Sequence, residues 1–365
     1  MTDTKPEEKE NKTFLPQTAK AGNPVCLQCK TQDMILGWPY TGDPEAKGAT
    51  WTRASNVIEL AKSAQYGLNC TICHDPHAAK PRIVRDALIE ALTRPEADTL
   101  WHKDPKATKF ELMQMGERGF TRKIAILEKY DSRLVCGQCH VEYFCGAGTN
   151  PATGEAVGMK DPRTNHFPFK DSSGLYDHYV NQIKVLDWKH PLTGALLQKN
   201  QHPEAESFYN SVHARNGVDC DDCHTPRVKD EKTGKSYTSH FAATPKVQLK
   251  ETCLKCHEKW DEEKALYVID SVKAYTKGKM RKAEFWLSNL IDKIVEGQKA
   301  GLGDDILKQA RDQHLRAHIL WEYWTAENSD GFHNPALARD SLTRSMDESQ
   351  KGIKIIDEAL AAAKK

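Results

Sequence analysis

Apolar residues fall at helical spacing in the last third of the chain and are scattered elsewhere. Leu287, Leu290, Ile291 and Ile294 share one face of a helix. A second helical segment, from about Asp304 to Glu327, follows the glycines at 301 and 303. A third begins at Asn334-Pro335, where asparagine can cap a helix and proline suits its first turn, and runs on through Ile353, Ile356 and Leu360. No convincing series of alternating apolar and polar positions marks strands, so the pattern predicts a mainly α-helical fold with little β structure. Glycine and proline are frequent from Gly146 to Gly174, which reads as a long loop crossing the surface. No apolar run approaches the length needed to cross a bilayer, and Met1 to Thr13 is polar, without the hydrophobic stretch of a signal peptide. The expected organisation is a polar segment over 1–23, a second region over 24–260 and a long-helix region over 261–365, all in one structural domain.

Charge narrows the function. The 52 lysines and arginines are balanced by 51 acidic residues, a net charge of +1. A nucleic-acid binder would carry a basic excess on one face. Cysteine carries the dominant signal. Ten of the 11 cysteines form five pairs with two residues between: Cys26/Cys29, Cys70/Cys73, Cys136/Cys139, Cys220/Cys223 and Cys253/Cys256. Their first members are 44, 66, 84 and 33 residues apart, too irregular for a solenoid repeat. Cys145 is left over and reads as a small buried hydrophobe.

Four pairs are followed at once by histidine: His74, His140, His224 and His257. Cys-x-x-Cys-His is the attachment signature of c-type haem, in which two thiols add to the vinyl groups and the histidine reaches the iron. Zinc ribbons and disulfides also use paired cysteines, but neither needs the trailing histidine. The fifth motif reads Cys26-Leu27-Gln28-Cys29-Lys30. Alone it reads better as an ordinary pair without haem; beside four histidine motifs it points to a lysine-ligated haem. Lysine binds metal only as the neutral amine, so iron must displace a proton from a group whose ordinary pKa is about 10.4.

These motifs resemble those of the pentahaem cytochrome c nitrite reductases, the ammonia-forming enzymes, in which one lysine motif precedes four histidine motifs. The resemblance extends from about Pro24 to Pro335. It implies a multihaem cytochrome c with haems packed in the core, and a reaction that takes nitrite to ammonium with six electrons at the Lys30 haem. It further implies that Tyr143 and His202 face the substrate. Glu142, Tyr143, Lys199 and Gln201, in Cys139-His140-Val141-Glu142-Tyr143 and Lys199-Asn200-Gln201-His202-Pro203-Glu204, would hold calcium, and their oxygen donors suit a hard cation. By the same resemblance His213 completes the Cys253/Cys256 haem, His240 the Cys70/Cys73 haem and His333 the Cys220/Cys223 haem. Saturated bis-histidine irons pass electrons without binding substrate. His77, His102, His166, His178 and His190 read as structural or solvated, and the pair His314/His318 as a helix face packing near haem.

The chain departs from the family at its start. Family members place an active-site arginine and a further haem-ligating histidine ahead of the lysine motif, whereas here the first arginine is Arg53 and the first histidine His74. Either the sequence is an incomplete version of a longer protein, which is the reading favoured here, or other groups take over. Two alternatives to the reductase stay open: a non-catalytic electron-transfer cytochrome, or an inactive incomplete reductase. Octahaem oxidoreductases fit less well, with only five motifs present. The expected partners are nitrite, with hydroxylamine as a further candidate substrate, a quinol dehydrogenase or small cytochrome as donor, and a second copy of the chain docked through the long helices. Haem attachment implies a periplasmic or exported protein, although the sequence displays no export signal.

Overall fold

A computed structural model describes residues 24–39, 42–115, 122–144 and 146–363. The polar segment 1–23 and Cys145 therefore lie outside the described residues. The chain from Pro24 to Trp260 is built of short helices and turns, and a small sheet organises its first half. Strands β1 (Arg82–Ile83), β2 (Phe110–Met115) and β3 (Arg122–Leu127) pair antiparallel in the order β1-β3-β2. The pattern reading had no strand here, and the reason is burial. Central β3 is covered at Ile124, Ala125, Ile126 and Leu127, so it reads as a continuous apolar run rather than an alternation. Edge strand β2 is mostly exposed and loses its alternation the other way. Helix α1 (Asp86–Thr93) continues from β1 and packs Ala87, Leu88, Ile89, Ala91 and Leu92 into the core beside it.

The glycine- and proline-rich stretch is corrected as well. It contains a two-residue ladder, Gly148–Thr149 with Ala156–Val157, and a 3-10 turn at Pro162–Thr164. Thr164, Phe167 and Phe169 are fully buried, so the segment passes through the interior rather than over the surface. An antiparallel bridge, in which Phe144 and His166 exchange backbone hydrogen bonds of 2.7 and 3.0 Å, ties it to the Cys136–Phe144 segment. Glycine and proline set the turns; the two phenylalanines decide where the chain goes. Downstream, the short helix α2 (Glu204–Tyr209) is buried along its whole length.

Three long helices follow: α3 (Glu262–Lys299), α4 (Asp304–Ala326) and α5 (Pro335–Ala363). Asp261 caps α3 by accepting from the Lys264 N–H, and Asn334 caps α5 by accepting from Leu337 N–H at 3.2 Å. Leu290, Ile294, Leu307, Ala310 and Ile356 form the apolar centre of this unit. At Gly352 the helices come so close that a Cβ would sit 2.6 Å from Leu290 and 3.0 Å from Gln313, so only glycine fits. A second cluster joins Phe144, Tyr179, Leu186 and Leu197 to Leu315, Ile319, Tyr323 and Leu342, so the helical unit and the motif-bearing half share a core.

His166 and His178 form a stacked pair with Nε2 atoms 2.8 Å apart, and His178 Nδ1 donates to Gln182 Oε1 at 2.7 Å. Gln182 Oε1 can only accept, so His178 Nδ1 carries a hydrogen, while His166 Nε2 also lies 3.4 Å from Arg94 Nη1, which can only donate. Burial, then the Arg94 cation, pushes His178 down from 6.5 to about 3, and the same two causes hold His166 well below its ordinary value. A base depressed in the folded state binds fewer protons than it does unfolded, so its contribution to stability is lost as pH falls from about 6.5 toward 3. His178→Gln is expected to flatten the fall in thermal midpoint between pH 7 and pH 4. Equal slopes in variant and parent, measured by calorimetry, would refute this.

Candidate haem-attachment and substrate site

The attachment motifs sit on single helical turns, most of them capped at the start. Asn69 accepts from the Thr71 N–H before Cys70–Cys73, and Asp131 from the Arg133 N–H before Ser132–Cys136. Asp219 forms a capping box with Asp222 at Cys220–His224. Thr31 caps the helix that follows the lysine motif. The thiols of different motifs are neighbours. Cys29 is hydrogen-bonded to Cys139, and Cys136 to Cys220. Burial and then Cys136 raise Cys73 to about 11, while burial and then Cys253 raise Cys223 to about 12. Motifs distant in sequence are thus drawn into one connected path, 26/29 to 136/139 to 220/223 to 253/256, with 70/73 beside Cys136. Gln138 stitches the centre: its Oε1 accepts from Val84 and Arg85 N–H at 2.7 and 3.2 Å, and its Nε2 donates to Val135 O at 3.2 Å.

Among the attachment cysteines, Cys70 and Cys256 are exposed and the other eight are half-buried. Cys253–Cys256 is a four-residue helix without a side-chain cap and with no buried residue. Cys253 and Leu254 take its inner face, packing against Leu249, Ala265 and Ile269.

The histidines test whether haem fits. His240 stands opposite His74 and His333 opposite His224, each pair with ring centroids 6.3 Å apart. Two imidazoles on opposite faces of one metal, with bonds of about 2 Å, require a centroid separation of about 6 Å. The third candidate, His213, has its pKa lowered by burial and then by His257. The ring nitrogens are assigned consistently as well. Nδ1 of His224 donates to Ala243 O at 2.9 Å and that of His240 to Thr238 O at 3.1 Å. His333 Nδ1 lies 2.6 Å from Glu327 Oε1, and His140 Nδ1 lies 3.4 Å from Glu204 Oε2. Each Nε2 is left available for a metal.

Beside the lysine motif, Tyr143 is buried and its ring stacks on His202 at 6.4 Å. His202 Nδ1 lies 3.2 Å from the Asn328 amide nitrogen, which can only donate, so the ring hydrogen sits on Nε2. Burial lowers the His202 pKa; Glu204 opposes this, while His140, Lys30 and Lys199 add to it. On the other side of Tyr143, Glu142 is fully buried. It accepts from Gln201 N–H at 2.6 Å and from Tyr179 O–H at 2.7 Å. Burial pushes Glu142 up to about 8 and Asp187 to about 7, with Glu322 adding to both. Crowded buried carboxylates of this kind are relieved by a cation. Among the described residues no three cysteine, histidine or acidic side chains converge on a metal, so oxygen from carbonyls and amides would have to complete such a site. His314 and His318 are buried against His190 and Trp188.

Sequence reading missed the groups that hold the histidines. Glu327 Oε2 accepts from the N–H groups of Ser329 and Gly331 at 3.1 and 3.2 Å, so its other oxygen is aimed at His333. Gly331, at φ +81° with its Cα against Thr276, makes the turn that returns His333 to that carboxylate. Glu204 and Asn328 do the same for His140 and His202. No local spacing marks these pairs, because each spans elements that meet only in the fold.

The profile of the cytochrome c552 family matches residues 1–365. Cytochrome c nitrite reductase subunit NrfA of Nitratidesulfovibrio vulgaris is 29% identical over 93% of this chain and 61% of its own length. Cytochrome c-552 of Haemophilus influenzae (strain Rd) is 26% identical over 92% of this chain and 59% of its own. The chain therefore spans about three fifths of the length of these relatives. Among solved structures, the NrfA cytochrome c nitrite reductase of Desulfovibrio desulfuricans, described as having two calcium sites, superposes with a TM-score of 0.68. It is 25% identical and covers 92% of this chain and 66% of that one.

Glu327→Gln keeps the volume of the side chain and removes its charge. With haem on Cys220 and Cys223, the variant is expected to raise the reduction potential of that one haem, because a carboxylate on Nδ1 makes the imidazole a stronger ligand. A potentiometric titration in which every haem keeps its parental value would contradict the assignment.

Proposed function

Because this chain belongs to the cytochrome c552 family, we propose that it is a five-haem c-type cytochrome that reduces nitrite to ammonium. The observation that carries the reading is Lys30, the one departure from histidine among five motifs, gathered in the fold with Tyr143 and His202. The names of the relatives support the same reaction class.

Bound haem would supply the electrons and an open metal position for nitrite. Cys26, Cys29 and Lys30 would hold the haem at which substrate binds. The cysteine pairs 70/73, 136/139, 220/223 and 253/256, with His74, His140, His224 and His257, would hold the other four. His240, His333 and His213 would close the far faces of three of these. Reduction consumes six electrons and eight protons per nitrite and yields ammonium and two waters. Nε2 of His202 carries a hydrogen that can be donated as N–O bonds break, and the Asn328 contact keeps it on that nitrogen. The ring stack with His202 holds Tyr143 beside it. Calcium would be held by Glu142, the carbonyls of Tyr143 and Lys199 and the side chain of Gln201, adding positive potential for an anion. Hydroxylamine fits the same pocket as a further substrate.

No helix among the described residues is long and apolar enough to cross a membrane. The chemistry of haem attachment supports a periplasmic or exported location, with a quinol dehydrogenase or small cytochrome as donor. Tyr267, Tyr275 and Phe285 are exposed on α3, which supports a homodimer through the long helices.

The decisive experiment compares nitrite turnover with a reduced dye in the parent and in Lys30→His. A parental rate at least tenfold above the variant, together with a high-spin haem signal that responds to nitrite, is expected. Equal and negligible rates with only low-spin haem would leave an electron carrier instead.

A further inference from the structure

Arg85 lies where β1 gives way to α1 and is completely buried. Its backbone N–H is used by Gln138, yet none of its three guanidinium nitrogens has a hydrogen-bond partner. The arginines around it are all engaged. Arg82 donates to Thr71 O, Arg94 to Phe167 O, and Arg122 to the carbonyls of Ile35 and Val84. The adjacent carboxylate does not neutralise it by contact: Asp86 accepts from its own helix at Ala87 and from Asn165. A guanidinium keeps its charge at every accessible pH, and a buried charge without a partner works against folding. Such a group is retained where an anion completes it.

Its surroundings identify the place. The guanidinium lies 5.1 Å from the centre of the Phe167 ring, and Phe167 packs against Tyr143 at 6.0 Å. Cys29, Cys139 and Tyr143 are in its electrostatic reach. Gln28, next to Cys29 inside the lysine motif, is also fully buried with both amide atoms unpartnered. Two orphaned polar side chains thus lie near one cysteine of the proposed substrate haem, Gln28 beside it in sequence and Arg85 on the side of Phe167 and Tyr143.

We propose that Arg85 is the binding residue of a subsite for a small planar oxyanion beside the Cys26/Cys29 motif. The inference rests on the five-haem reading. A planar guanidinium fork offers parallel N–H donors, and the complementary ligand has two oxygens on one atom. Nitrite meets that description, and so does the propionate carboxylate of a neighbouring haem.

The test uses holoprotein of the parent, Arg85→Gln and Arg85→Lys. Mass spectrometry counts the haems, optical titration of the oxidised protein measures nitrite affinity, and potentiometry measures each haem. Five haems are expected in all three. If nitrite is the ligand, Arg85→Gln weakens nitrite binding at least tenfold at unchanged potentials, and Arg85→Lys recovers part of the loss. If a propionate is the ligand, nitrite affinity stays within twofold while the potential of one haem is higher in the parent than in Arg85→Gln. Five haems with parental affinity and potentials in both variants would overturn the subsite. Fewer than five in the parent would bring down the haem reading itself, and this inference with it.

Discussion

Everything in the motif-bearing half depends on fixing which nitrogen of each imidazole faces inward. A cysteine pair fixes where a histidine begins, but not how its ring turns. That is decided by a partner on Nδ1: a carbonyl for His224 and His240, a carboxylate for His140 and His333. A ring pinned on one nitrogen presents the other in a single direction, and His224 and His333, both pinned, stand with ring centroids 6.3 Å apart. The carbonyl partners come from local turns. The carboxylate partners come from α2 and from the end of α4, elements whose own positions are secured by burial. The long helices therefore help to orient His333, since Glu327 and His333 are delivered by the connection between α4 and α5.

Much of this was legible in the sequence because it is encoded within a few residues. The five motifs, the cap at Asn334 and the three long helices each depend on neighbours along the chain. The misses depend on long-range context. Strand β3 lost its alternation because α1 covers Ala125 and Leu127 on one face, while Ile35, Ile72 and Val84 cover Ile124 and Ile126 on the other. Phe167 and Phe169 sat inside a segment whose glycines and prolines read as surface loop, yet their burial pulls it through the core. Glu327 gave no signal because its meaning comes from Gly331, whose positive φ bends the chain back. Arg85 gave no signal for a related reason: between Arg82 and Asp86 nothing local marks that the fold buries it completely.

The two halves are stabilised differently. The helical unit closes on aliphatic contacts and on the absence of a side chain at Gly352. The other half holds short elements around polar groups that its own polypeptide does not fully satisfy, Gln28 and Arg85 among them. A buried polar group without a partner weakens a fold, so this half is organised around something larger than its own side chains.

The sulfur neighbours have one more consequence. Cys29 meets Cys139 across 110 positions of sequence, and Cys136 meets Cys220 across 84. Distance between sites is thus stored in contact, while length is stored in the intervening loops. Residues can be gained or lost in those loops without lengthening any hop between sites, which leaves loops free to diversify while the wiring beneath them stays the same.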